Sequence, residues 1–165
     1  LNTEHTVERV DARVINTEHG EFNLVTYRDK ISRDIHFALV RGEVNTDVPT
    51  LVRVHVKNPL SDVLHWQRDD LSISAHQAMA TIAKENAGVL VVLSEPITSE
   101  QLLAQITEQD GHAATKIKLW RQNGAGAQIL ADLGLSKLRV LGTPRRQVAL
   151  AGFGLEVIEY VSPRG

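Results

Sequence analysis

The chain has 165 residues, 42% of them apolar, and its 18 basic and 20 acidic side chains leave a formal charge of −2, which suits one compact core and excludes wholesale disorder. No basic run is long enough to follow a phosphate backbone, so nucleic acid is not an expected partner. The absence of cysteine rules out disulfides and any zinc site built on thiolates.

The longest apolar stretch, Ala87 to Leu93, is too short to span a bilayer, and the opening LNTEHTVERV lacks the apolar segment of a signal peptide. The expected setting is the cytoplasm, with no membrane partner. A start at Leu1 and the polar ending SPRG fit a piece of a longer polypeptide, with residues 1–6 as linker remnant, 7–161 as one domain and 162–165 as polar tail.

In chain order, "VERVDARVI", the turn signal "NTEHG", "EFNLVTY", "IHFALVRG" and "TLVRVHV" alternate as strands and predict an antiparallel meander from Val7 to Val56. After Asp70 the period becomes helical: Ile73, Met79, Ile82 and Ala83 lie near one stripe, and Gly88 is placed to end that helix. "VLVVL", Val89 to Leu93, reads as a buried strand. Thr98 and Gln101 have the spacing of a capping box, opening a helix whose inward face would be Leu102, Leu103 and Ile106. A third helix, "GAQILADLG", then leads into the strands "KLRVL" and "LEVIEYV". The predicted class is α/β (α+β): a strand meander followed by alternating helices and strands in a mixed sheet.

"GEFNLVTYRD", "HFALVRGEV", "TLVRVHV" and "GAGAQILADLGLSKLRVL", in this order, resemble the GTP cyclohydrolase II domain of riboflavin biosynthesis, over most of the chain. The stretch from Gly124 to Leu141 carries the most specific part, a glycine-rich turn, a helix and an "LG" before the next strand. "TVERVDARVINTEHGEF" is similar to the join in proteins where this domain follows 3,4-dihydroxy-2-butanone 4-phosphate synthase. The resemblance therefore implies a fused or neighbouring synthase as partner, and a homodimer.

In active members of that family the strand ending "RVH" is followed by Ser, Glu and the first zinc-binding Cys, and then by Cys-Asp-Cys. Here Arg53, Val54 and His55 are followed by Val56, Lys57 and Asn58, and later by Asp69, Asp70 and Leu71. The ligand positions thus carry Asn58, Asp69 and Leu71, and zinc is not expected. Zinc lowers the pKa of a bound water to about 7, and ring opening without it lacks a nucleophile. Leu71 is expected to fill the former metal cavity with apolar atoms. A replacement metal site from His55, His65, Asp62, Asp69 and Asp70 matches no compact signature; Asp69 and Asp70 read instead as acids ahead of a helix.

Other family motifs are altered as well. The "QEGRGIGL"-like loop is replaced by "LSEPITSEQLL", Leu93 to Leu103, and "D-x-R-D-Y-G" becomes Leu119 to Gly124, where only Arg121 and Gly124 keep their places. The "TNNPKK" turn is "GTPRR", in which Thr143, Arg145 and Arg146 form a candidate anion site at a strand end. Arg53, His55 and Arg121 are the further candidate nucleotide contacts, and no catalytic residue is assigned.

Two functions follow. The first is a non-catalytic GTP cyclohydrolase II-like module that supports dimerisation, stability or regulation of the synthase. The second is a zinc-independent nucleotide-binding or pyrophosphate-cleaving enzyme using Arg121, Arg145 and Arg146, with residual cyclohydrolase a distant third. Magnesium is expected only with a bound nucleotide or in the synthase domain.

Overall fold

The computed structural model describes residues 5–107, 124–142 and 150–163. In chain order they form β1 (Val7–Thr17), β2 (Gly20–Asp29), β3 (Ile35–Arg41), β4 (Thr50–Val56), α1 (Pro59–Asp62), α2 (Ala75–Glu85), β5 (Gly88–Leu93), α3 (Ser99–Thr107), α4 (124–132), β6 (Lys137–Leu141) and β7 (Glu156–Val161). A 3-10 turn at Ala151–Phe153 precedes β7.

The strands make one mixed sheet in the order β1-β2-β3-β5-β4-β6-β7. The predicted meander is present from β1 to β3, but β4 leaves it, because β5 inserts between β3 and β4. β5 runs antiparallel to β3 and parallel to β4. The reason lies in β5 itself. All six of its residues are buried, so it needs a strand on each edge and a covering layer on each face.

Alternation along β5 divides the core in two. Val89, Val91 and Leu93 pack with Ala127, Ile129 and Leu130 of α4, whereas Leu90 and Val92 pack with Ala78, Met79 and Ile82 of α2. Burying these five β5 side chains contributes roughly 10 kcal/mol gross, an upper bound set by the extended-chain reference.

Helix boundaries follow local chemistry. Ser74 caps α2 in a reciprocal box with Gln77, and the helix stops at Asn86, which takes the left-handed conformation at φ 60°. Gly88, expected to end that helix, instead opens β5 at φ +145°, where a Cβ would lie 2.8 Å from the Leu51 carbonyl oxygen. The Thr98–Gln101 box is present, with Gln101 N–H donating to Thr98 Oγ1 at 3.1 Å and Thr98 N–H to Gln101 Oε1 at 2.9 Å.

α3 corrects another expectation: it buries no residue, and Leu103 and Ile106 are 61% and 43% exposed. Periodicity identifies a stripe without saying whether anything covers it, and α3 is attached chiefly by polar tethers at its C-terminal end.

Candidate functional site

β4 is where the strand order turns back, with β5 on one side and β6 on the other, all parallel. Crevices for ligands in such sheets open at the carboxyl end of the strands beside that reversal. Here that end carries Arg53, His55 and, just beyond, Asn58.

Arg53 and His55 share the α2 face of β4, opposite Val52, Val54 and Val56, which pack towards α4. Arg53 is half-buried, and its Nη1 donates to the Leu141 carbonyl at 3.0 Å, alongside Gly142, where a Cβ would meet Nη1 at 2.8 Å. His55 is 1% exposed, and its Nε2 lies 2.9 Å from both carboxylate oxygens of Asp62. This geometry puts the proton on Nε2. Nδ1 is buried without a hydrogen-bond partner among the described residues.

Asp62 also accepts the backbone N–H of Asn58 at 2.9 Å and of Ala75 at 2.8 Å, so one carboxylate joins β4, α1 and the start of α2. Burial pushes its pKa up, but the hydrogen bonds from His55, Asn58 and Ala75 outweigh burial and hold it below the usual carboxylate value. The acid serving the α2 terminus is therefore Asp62. Asp69 is exposed, and Asp70 pairs with Arg68.

Asn58 is fully engaged. Its Oδ1 caps α1 by accepting Leu60 N–H at 2.9 Å, and its Nδ2 donates to Gln105 Oε1 of α3 at 2.9 Å. The readable signal was Asn followed by Pro, the pairing of an N-cap with Pro at the first helical position. Arg68 reaches the same part of α3 through a 2.6 Å bond to the Gln105 carbonyl, with its guanidinium 4.4 Å over the Trp66 ring. Gln105 was not a sequence candidate, and no local motif marks it.

Leu71 departs from expectation. It is half-buried, lining a shallow depression of about 240 Å³ with His65, Trp66, Arg68 and Ser74, while Leu60 and Ile73 supply the buried apolar side chains of the segment. With its backbone N–H bonded to Arg68 O at 3.0 Å, Leu71 sits in a tight turn at the surface, so its side chain gains only part of the burial. A larger depression of about 740 Å³ lies at the amino end of β4, lined by Glu43, Pro49, Thr50 and Arg139, away from this site. Arg121, Thr143, Arg145 and Arg146 lie outside the described residues, and the candidate anion site with them.

Residues 8–162 match the sequence profile of GTP cyclohydrolase II. The chain belongs to the GTP cyclohydrolase II family. Among relatives of this GTP cyclohydrolase II-family chain, a Pseudomonas aeruginosa protein named 3,4-dihydroxy-2-butanone 4-phosphate synthase is 42% identical over 161 residues, covering 96% of this chain and 44% of the relative. A Parabacteroides distasonis protein named riboflavin biosynthesis protein RibBA is 34% identical over 173 residues, covering 98% and 43%. The crystal structure of RibBX from A. baumannii, described as a two-domain 3,4-dihydroxy-2-butanone 4-phosphate synthase, superposes with a TM-score of 0.68 at 37% identity, covering 96% of this chain and 41% of that one. The chain thus spans less than half the length of these relatives.

The zinc that this family resemblance implies does not fit the residues present. Asn58 uses its side-chain oxygen and nitrogen in cap and tether, Leu71 offers no donor atom, and Asp69 alone is a single carboxylate.

Proposed function

We propose that this GTP cyclohydrolase II-like chain is a non-catalytic module of a riboflavin biosynthesis protein, acting on the dimerisation, stability or regulation of a fused or neighbouring 3,4-dihydroxy-2-butanone 4-phosphate synthase. The carrying observation is Asn58: at the position where the resemblance places the first zinc ligand, both polar side-chain atoms serve the fold. Relatives named for the synthase, which the chain covers by less than half, supply the context. The framework of the sheet is retained while the chemistry-bearing positions have changed, as expected when packing is selected and catalysis is not.

Exposed apolar side chains at Val63, Leu64, Leu103 and Ile106 support an assembly role, and a cytoplasmic homodimer belongs to the same reading. Among the described residues no helix is long and apolar enough to cross a membrane.

The test compares the two-domain polypeptide with its synthase domain alone by sedimentation and synthase turnover. A change in subunit number or in synthase turnover on removing the module is expected; the same subunit number and the same turnover would overturn the proposal. Formate release from GTP by this chain would establish a catalytic domain instead. Heat on titration with GTP and magnesium, lost in an Arg145→Ala/Arg146→Ala variant, would favour the zinc-independent nucleotide enzyme.

A further inference from the structure

The β1–β2 turn and the first turn of α2 bring Glu18, His19 and His76 together at the surface. His76 Nδ1 is 2.8 Å from Glu18 Oε1 and 3.3 Å from His19 Nε2, and Glu18 Oε1 is 3.8 Å from His19 Nε2. We propose that these three side chains form a divalent transition-metal site, with zinc the best-matched ion, clipping the β1–β2 hairpin to α2.

Three features carry this. Each residue presents one ligand atom of a kind that Zn²⁺ takes, two imidazole nitrogens and a carboxylate oxygen, leaving a fourth position for water. The spacing also fits. Edges of 2.8, 3.3 and 3.8 Å bracket the ~3.4 Å edge of a tetrahedron with bonds of about 2.1 Å, so one ion fits at bonding distance from all three. Finally, a single proton on His76 Nδ1 can be directed to Glu18 or to His19, but not to both. A cation between the three atoms gives each of them a partner at once.

The surroundings hold His19 in place. Thr17 Oγ1 accepts the His19 N–H at 3.0 Å and donates to the Gly20 carbonyl at 2.8 Å, while Arg41 Nη1 donates to the His19 carbonyl at 3.0 Å. Arg41 is itself fixed by Asn86 Oδ1 at 3.0 Å and by the Phe22 ring, 5.2 Å from its guanidinium carbon. These bonds fix the backbone from which the His19 ring projects, so part of the ordering cost is met before an ion arrives. His76 is anchored by the capped start of α2. This site is separate from the family's zinc position around Asn58, and its ligands are 57 residues apart, too far for any compact motif.

The experiment titrates the metal-free 165-residue chain with Zn²⁺ and follows Tm, and with Co²⁺ and follows visible absorption. One equivalent of Zn²⁺ is expected to bind, raising Tm by about 5–10 °C at roughly 100-fold excess over Kd. Co²⁺ should give the intense bands of four-coordinate geometry. His19→Gln, His76→Gln and Glu18→Gln, all near the surface, should each abolish the shift while leaving the metal-free Tm within a few degrees. His65→Gln, beside His76 but outside the triad, should keep it. No saturable binding, or binding that survives His19→Gln/His76→Gln, would overturn the proposal, as would a shift lost only in His65→Gln.

Discussion

The buried imidazole of His55 and the carboxylate of Asp62 meet with Nε2 2.9 Å from each carboxylate oxygen. Asp62 satisfies two backbone donors as well, so its removal would orphan three groups in one step. Asp62→Ala is expected to lower the unfolding free energy by about 3 kcal/mol in urea melts. Combined with His55→Leu, the losses should be non-additive by more than about 1 kcal/mol, because one bond is counted in both single variants.

The same carboxylate gives acid sensitivity with a defined sign. Its folded pKa lies below the ordinary value of 3.8, so its contribution is complete above that pH and is lost as pH falls through the folded pKa. A wild-type chain should therefore lose stability below about pH 4 that Asp62→Ala has already lost, visible as a flatter acid limb of denaturant midpoint against pH.

His36 acts in a higher window. It is buried in β3, and its Nδ1 accepts Ser94 N–H at 3.0 Å; burial pushes its pKa below 6.5, against the opposing pull of Asp34, Asp29 and Glu95. Below 6.5 the unfolded chain takes up a proton that the folded one resists, so stability falls as pH drops from that value and levels off below the folded pKa. His36→Gln, which keeps an acceptor, should remove this slope below pH 6.5.

Asn58→Ala should cost about 1–2 kcal/mol through the lost α1 cap and should also release one tether on α3. Hydrogen exchange would show faster amides in Ser99–Thr107 with β5 unchanged.

Gly88→Ala is expected to destabilise by about 2–3 kcal/mol, since φ is +145° and the added Cβ would strike backbone oxygen of Leu51, which cannot rotate away. Thermal melts of Gly88→Ala beside Gly134→Ala, another positive-φ glycine with nothing within 4 Å, separate the close contact from the backbone strain.

Much of the fold was legible because side-chain period and β-branched runs are local: the β1–β3 meander, the buried Val89–Leu93 strand and the Thr98 box needed no tertiary information. The place of β4 was not, because strand order depends on which surfaces β5 must cover. Asn86 was overlooked beside Gly88 since both residues tolerate positive φ and only the helix length decides between them. At the site, the absence of cysteine could be read directly. The roles of Asp62 and Gln105 could not, as each is set by atoms brought from other elements.

β5 is hydrogen-bonded to the hairpin half of the sheet along one edge and to the parallel half along the other. No cut through the sheet separates two self-sufficient pieces: whichever half kept the strand would leave the other with a raw apolar border. Melting should therefore be a single event reported alike by signals from either flank, and fragments ending near Val56 or starting near Ser94 should clump instead of folding.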